Sequence, residues 1–567
     1  MPKADASEVA RLLREYGERT ALRGGNPYRA KAYTRAAESL AGLTEPLEQL
    51  VKGDRLEEIP GVGASIADLI KALHRAGTHP TLEALRKEIP PGVLDLLRIP
   101  GLKADKAVKL YKDLGIDSVE ALEQAAKSDR LSSIKGLGPA LQTKILQGID
   151  IQRTGKGLRH VHRATELLTA FANNLKRSHP DVLRVLPAGE YRRGCELIGD
   201  LAMVATVKGA KTPEPITCGE TRITFASKGS EGAALLAATG STEHLVALEA
   251  LAKRKGYRLD AGGLWKGRRR MAGADEASIY TALGLDFIPP ELREGGDEIK
   301  LAKARRLPKL VTNKDLRGIL HAHTTRSDGA ATLEQMVVAT KARGYGYFGV
   351  ADHSKSAHYA GGLSVEEIEA QHAEADALNK RLGRTFRVFK GIESDILVNG
   401  ELDYPDDILS CFDFIVASVH SRFRLDKKTQ TERILRAVAN PRTTILGHMT
   451  GRQLLRRPGY EVDIDAVLQA CAEYGVAVEI NANPWRLDLD WRWHRRALDL
   501  GCMMSINPDA HSTSELDLTH WGVLMARKGG VPKERVLNAM SAAEIAKHFA
   551  CRHSTGFRQT REMTTPT

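Results

Sequence analysis

The sequence predicts a multidomain chain with an α-helical N-terminal region, an α+β middle and a C-terminal α/β barrel. Three observations carry this. A unit of apolar residue, tight glycine turn and amphipathic helix occurs three times before residue 145. From residue 160 to about 290 the texture changes to short strands mixed with helices. After Gly318 seven apolar, strand-like runs alternate with helical stretches, the pattern of an α/β barrel. At 567 residues the chain exceeds a single core, because one domain takes roughly 100–200 residues.

The three N-terminal copies are Leu56-Glu-Glu-Ile-Pro-Gly-Val-Gly-Ala-Ser-Ile-Ala67, Leu97-Arg-Ile-Pro-Gly-Leu-Lys-Ala-Asp-Lys-Ala107 and Leu131-Ser-Ser-Ile-Lys-Gly-Leu-Gly-Pro-Ala-Leu-Gln142. Two keep Gly-x-Gly, at Gly61/Gly63 and Gly136/Gly138, while the middle copy has Gly101 followed by Lys103. This is the helix-hairpin-helix pattern. Its glycines let the turn come close to a phosphate, and the N–H groups opening the next helix point at it. A single Gly-x-Gly is ordinarily a plain helix–helix turn; three copies point to DNA held by its backbone, without sequence readout.

Charge agrees with that partner. The formal net charge is +12 and the isoelectric point about 9.3, a balance that attracts polyanions through counterion release. No apolar run reaches the roughly 18 residues of a spanning helix, so no membrane partner is expected. Met1-Pro2-Lys3-Ala4-Asp5 lacks the apolar core of a secretory signal. Six cysteines without a CxxC pair suit a reducing, cytoplasmic setting. A monomer is expected.

The strand-like runs are Gly318–Leu320, Tyr347–Ala351, Phe386–Phe389, Phe414–Ala417, Thr444–Leu446, Val476–Ile480 and Met503–Ile506. Barrel enzymes carry their chemistry at C-terminal strand ends. Here those ends bear His321 and His323 with Asp328 just beyond, Asp352-His353, Glu393, His420, His448, and Asp509-Ala-His511. One histidine after a strand is ordinarily a core or surface residue. Imidazoles and carboxylates at successive strand ends are a donor set for two or three divalent cations.

These segments resemble the PHP superfamily of metal-dependent phosphoesterases. Gly318-Ile-Leu-His-Ala-His-Thr-Thr-Arg-Ser-Asp-Gly329 is similar to its first motif. Val350-Ala-Asp-His-Ser354, Gly391-Ile-Glu-Ser394, Ala417-Ser-Val-His420, Gly447-His448 and Asp509-Ala-His511 are similar to the later ones. The resemblance implies a distorted (β/α)7 barrel whose metals, Mn²⁺ or Zn²⁺, are held by His321, His323, Asp328, His353, Glu393, His420, His448, Asp509 and His511. Glu393 is expected to bridge two ions, and Arg452, close to a ligand in Gly447-His-Met-Thr-Gly-Arg452, to clamp a phosphate.

Residues 160–310 resemble the palm and thumb of family X DNA polymerases. Pro187-Ala-Gly-Glu-Tyr-Arg-Arg-Gly-Cys-Glu-Leu-Ile-Gly-Asp-Leu-Ala-Met203, which contains Arg193, is similar to the family's palm motif. Thr239-Gly-Ser241 and the segment Tyr280–Arg293 resemble thumb motifs. Together the resemblances identify the chain as a prokaryotic family X polymerase with a C-terminal PHP domain. They divide it into an 8-kDa-like helix-hairpin-helix domain (1–80), a fingers-like one (81–157), palm and thumb (158–295), a linker (296–315), the PHP domain (316–550) and a flexible tail (551–567).

The departures from that family bear on function. Nucleotidyl transfer needs carboxylates that hold two Mg²⁺ ions. The first is present as Asp200, but the second position is Ala202 and the third falls at or near Arg222, with Glu220 two residues away. Glu190 stands where the family has a triphosphate-binding serine, and Ala237-Ala238 replace an aromatic pair. Mg²⁺ in the palm and templated synthesis are therefore not expected. The family's Schiff-base lysine positions are Ser65 and Leu69, with Lys71 off register, so strong lyase chemistry is not expected either. The expectation is a DNA-repair enzyme: a 3′–5′ exonuclease, with abasic-site endonuclease as a further activity, acting on gapped, 3′-ended or abasic DNA. The alternatives are a working gap-filling polymerase with 3′–5′ exonuclease and a small-molecule PHP phosphatase.

Overall fold

The computed structural model describes residues 4–24, 27–41, 46–133, 137–209, 212–218 and 220–550. Gly136 and the expected tail, 551–567, lie outside them. The chain forms two compact units. One is Met1–Gly157 with Leu455–Arg457; the other is Leu158–Leu454 with Pro458–Thr567.

The first unit is helical, and its glycine turns show why the sequence repeats. Gly61 and Gly101 both take φ +84, a left-handed conformation open to glycine. The helices that follow are α1 (Ala64–Ala76), α2 (Ala104–Leu114) and α3 (Pro139–Thr154), which start after Gly63, Lys103 and Gly138 with no side-chain cap. Their first N–H groups therefore keep their donors for an outside acceptor. Gly61, Gly63, Gly101 and Gly138 are exposed. The apolar faces pack inward in two clusters, with Ile70 and Leu73 in one and Ala107, Leu110 and Ile145 in the other.

The second unit contains a four-stranded sheet. Its strands are β1 (Val182–Pro187), β2 (Leu201–Val207), β3 (Ile216–Cys218) and β4 (Thr221–Ser227), in the order β1-β2-β4-β3. β2 and β4 run parallel and set Ala202 beside Arg222. A three-stranded antiparallel sheet follows: β5 (Arg258–Asp260), β6 (Gly263–Lys266) and β7 (Arg269–Ala272).

The barrel strands are β8 (Gly318–Ile319), β9 (Tyr347–Val350), β10 (Arg387–Asp395), β11 (Phe414–Ser418), β12 (Ile445–Leu446), β13 (Ala477–Asn481) and β14 (Met504–Asn507). They pair in sequence order, all parallel. A parallel bridge between Ala322 and Ala510 joins the first strand end to the last, with His323 N donating to Ala510 O at 2.8 Å. Every expected strand is present. Glu393 is inside β10 rather than after it, because that strand runs on to Asp395. Phe414 fills the barrel where Gly349 and Gly391 leave space: a Cβ at these positions would lie 2.7 and 2.3 Å from its ring.

Residues 296–315, expected as a linker, are packed at both ends. Glu298–Lys303 is helical, Glu298 Oε1 lies 2.8 Å from His244 Nδ1, and Val311 is fully buried in the barrel's core cluster. The palm and thumb also bear on the barrel. Val161 joins that core cluster, Glu196 accepts from Trp491 Nε1 at 2.8 Å and Arg492 Nη1 at 2.7 Å, and Lys528 donates to Arg193 O at 3.0 Å.

Candidate metal centre

The strand ends converge on Glu393, which is 1% exposed. Its Oε1 lies 3.0 Å from His448 Nε2 and 3.3 Å from the Nε2 atoms of both His321 and His420. Its Oε2 lies 3.0 Å from His353 Nδ1 and 3.7 Å from His323 Nε2. Asp509 Oδ1 stands 3.1 Å from His323 Nε2 and 3.5 Å from His321 Nε2. Asp328 Oδ1 is 3.3 Å from His511 Nε2 and 3.6 Å from His353 Nε2. All nine expected ligand residues thus meet in one cluster.

Within it, three groups offer donor atoms close enough to share an ion: His323, Asp328, His353 and His511; His321, His323 and Glu393; His353, Glu393 and His420. Glu393 belongs to two of them. His321 Nε2, His323 Nδ1, His353 Nδ1, His448 Nδ1 and Glu393 Oε2 are buried without a hydrogen-bond partner. Leaving such atoms unsatisfied costs roughly 1–3 kcal/mol each, and for the residues of the three groups a divalent cation is a partner of fitting geometry.

The charges agree. Burial opposes ionisation of Glu393, but the imidazoles of His420, His321 and His353 outweigh it and hold its pKa well below the usual carboxylate range. Burial likewise opposes charge on His420, yet Glu393 and Asp395 push its pKa up to about 10. His511 is raised to about 9 against burial by Asp328 and Asp509. His323 goes the other way, to about 4, through burial and the neighbouring His353. The carboxylates so concentrate negative charge that, without an ion, imidazoles take up protons in its place.

A second set of carboxylates, not singled out in the sequence, aims the ligands. Glu479 Oε1 accepts from His321 Nδ1 at 2.6 Å and Asn507 Nδ2 at 2.8 Å, and Oε2 accepts from His448 N at 2.7 Å. Asp395 Oδ1 lies 2.5 Å from His420 Nδ1. Such partners fix which ring nitrogen faces the ion. Only Asp395 had a signal in the sequence: in β10 it lies two positions from Glu393 and so points the same way. Asp352 is not in the cluster. It accepts from Thr324 N, Thr324 Oγ1, Ser327 Oγ and Gln371 Nε2 at 2.5–2.7 Å.

Arg452 does not stand open as a phosphate clamp. Its Nη1 donates to Asp490 Oδ2 at 2.6 Å, its Nε to Arg486 O at 3.1 Å and its Nη2 to Leu487 O. All three nitrogens are spent on the 486–490 loop, because that loop folds back over the turn following His448. The loop instead presents Arg486, whose Nε is 3.8 Å from Asp509 Oδ2 with the side chain 19% exposed.

In the palm, Asp200 Oδ2 pairs with Arg222 Nη2 at 2.7 Å. Glu220 lies apart, paired with Arg159. Glu190 Oε2 accepts from the backbone N–H groups of Gly199 and Asp200. Arg193 Nε pairs with Glu294 at 3.0 Å, and Arg192 makes a two-pronged bond to Glu276. In the N-terminal unit Leu69 is buried and Lys71 pairs with Asp54 at 2.6 Å, which raises its pKa. No helix among the described residues is long and apolar enough to cross a membrane.

Comparison with known proteins agrees with these divisions. Residues 5–79 match the model of a helix-hairpin-helix domain, 93–150 that of a SAM-like helix-hairpin-helix tandem, and 234–294 that of the DNA polymerase beta thumb. The barrel region is 27% identical over 228 residues to a protein named "Probable phosphatase" in Shewanella sp. (strain MR-4), covering 38% of this chain and 85% of that one. A like-named protein of Thermoanaerobacter sp. (strain X514) is 27% identical over 237 residues, covering 38% and 88%. The "DNA polymerase/3'-5' exonuclease PolX" of Bacillus subtilis (strain 168) is 33% identical over 572 residues, covering 95% of this chain and 98% of that one. With that likeness running from the hairpins to the barrel, the chain belongs to the PolX family, the family X DNA polymerases that carry a PHP domain.

Proposed function

We propose that the chain is a metal-dependent DNA phosphodiesterase, a 3′–5′ exonuclease with abasic-site endonuclease as a further activity, whose palm no longer polymerises. The observation that carries this reading is the meeting of eight other expected ligand residues around Glu393 in a chain that also holds helix-hairpin-helix and thumb modules. Two or three ions, Mn²⁺ or Zn²⁺, would be held by His321, His323, Asp328, His353, Glu393, His420, His448, Asp509 and His511. Bound there, such ions lower the pKa of a water and neutralise phosphoryl oxygens. Glu479 and Asp395 keep the ligand imidazoles aimed. Arg486, beside Asp509, meets the phosphate, while Arg452 holds the loop that carries it. Gly61, Gly63, Gly101 and Gly138, with Gly136 assigned to the same role from its sequence motif, hold the backbone of gapped, 3′-ended or abasic DNA without reading sequence. The protein acts as a cytoplasmic monomer.

Purified protein incubated with end-labelled primer-template, gapped and abasic DNA and with a small phosphate monoester, with and without Mn²⁺ and nucleotides, tests the whole reading. Stepwise 3′ shortening that needs the metal supports it. Hydrolysis confined to small phosphate esters, the alternative favoured by the barrel's phosphatase-named relatives, would overturn it.

A further inference from the structure

The cluster opens to solvent at Asp328 and His511, whose side chains are 36% and 35% exposed. Near this opening stands Tyr359, itself 72% exposed, with its ring centroid 6.2 Å from that of His353. A single exposed tyrosine is ordinary. This one differs in how it is held. The short turn His358–Ala360 that carries it is flanked by buried Ala357 and Ala360, and the N–H groups of Ala360 and Gly362 both donate to Ala357 O. Gly361 closes the turn at φ +66. A Cβ on Gly362 would lie 1.9 Å from Ser354 O, and Leu363 N donates to His353 O at 2.9 Å. The backbone is therefore locked to the strand end that supplies His353, while the aromatic ring faces water.

The ring thus borders the open side of the cluster, next to the imidazole of His353.

We propose that Tyr359 is a substrate-positioning residue on which the base of the 3′-terminal nucleotide stacks while its phosphodiester enters the cluster. This rests on the DNA phosphodiesterase reading and names the part of the substrate that the site grips. Every base has a π-face, so stacking is tolerant of sequence and suits an enzyme whose other DNA contacts go to the backbone. A ring with two side-chain torsions on a fixed turn also loses little freedom on binding.

The test compares full-length wild type, Tyr359→Phe and Tyr359→Ala, all loaded with Mn²⁺. The two substrates are oligonucleotides identical except that one ends in a normal 3′ nucleotide and the other in a base-free tetrahydrofuran nucleotide. Tyr359→Ala raises KM for the normal end roughly ten- to a hundredfold, Tyr359→Phe stays within about twofold, and all three act alike on the base-free end. An unchanged KM for Tyr359→Ala on the normal end, or equal losses on both ends, would overturn the proposal. So would loss of bound metal in Tyr359→Ala, which would make the residue part of the cluster's frame. If wild type cleaves neither substrate, the phosphodiesterase reading fails and the stacking role with it.

Discussion

Arg222 Nη2 stands 2.7 Å from the Asp200 carboxylate, across the parallel pairing that sets Arg222 beside Ala202. On the proposed reading of the palm, this guanidinium sits where divalent ions would gather and pairs with the first carboxylate of the set. Ala202 itself is 1% exposed, with its Cβ 3.2 Å from where a Cβ on Gly189 would stand. If the palm no longer polymerises, as proposed, restoring one acid does not rebuild its site. Ala202→Asp alone gives no templated nucleotide addition, because Arg222 still competes for Asp200 and the new carboxylate is buried. Primer extension checks this. Template-dependent extension by the wild type, abolished in Asp200→Ala, would mean that the palm is alive.

His321 faces two carboxylates of the cluster, Glu393 and Asp509, and His323 faces three, Asp328, Glu393 and Asp509. His321→Ala/His323→Ala removes imidazoles from two of its three donor groups, so bound metal and hydrolysis are lost together. Metal analysis of the purified double variant reads this directly. Full occupancy would separate the ligands from the ions.

Metal binding must be pH-dependent with a definite sign. His420 and His511 have pKa values raised to about 10 and about 9, so both carry protons at neutral pH when no ion is bound. An incoming cation displaces them. Apparent affinity is therefore weak in acid and climbs as pH rises towards 9–10, by about tenfold per pH unit for each proton displaced. Mn²⁺ titrations at pH 6, 7 and 8 measure the slope, and a flat profile would contradict it.

Gly63 separates DNA contact from folding. Its φ of −102 and ψ of 174 are extended backbone that any residue adopts, and a Cβ there meets nothing within 4 Å. Gly63→Val therefore leaves thermal stability nearly unchanged. Its branched side chain nevertheless stands where a phosphate would approach the first N–H groups of α1. DNA affinity falls by a similar factor for unrelated sequences, since the lost contact is to the backbone. Binding assays on two sequences of one length check this, and a sequence-dependent loss would count against a backbone contact.

The residues of the cluster were legible in the sequence because imidazoles and carboxylates at strand ends interrupt apolar runs, and the interruption recurs strand after strand. Glu479 was not, because β13 is covered on both faces and reads as a near-continuous apolar run, Val476-Ala-Val-Glu-Ile480, in which one acid gives no direction. Arg452 misled for a related reason. Nearness to His448 along the chain does not say which way a side chain turns, and this one turns to the 486–490 loop. Residues 296–315 were read as a linker from their charge. Glu298, Ala302 and Val311 are nevertheless buried, and their spacing is too sparse to show as a periodic face.

Glu479 offers the sharpest test of how the centre is aimed. It is fully buried, and its oxygens accept from His321 Nδ1, His448 N and Asn507 Nδ2. It meets His321 at Nδ1 while Nε2 faces Glu393 and Asp509, so on the proposed reading it holds His321 in the tautomer and pose that present Nε2. Glu479→Gln keeps the shape, removes the charge and replaces one acceptor with a donor. Burial opposes its ionisation, but His321 holds its pKa below the usual carboxylate range, so the charge is present in the wild type at neutral pH. Losing such a partner weakens metal binding by roughly 10- to 100-fold. The variant should therefore fold, bind Mn²⁺ at raised concentration and regain hydrolysis there. Competition with a chelator of known affinity gives the shift. Unchanged affinity would leave Glu479 a packing residue, and loss of hydrolysis that excess Mn²⁺ cannot restore would make it part of the chemistry itself.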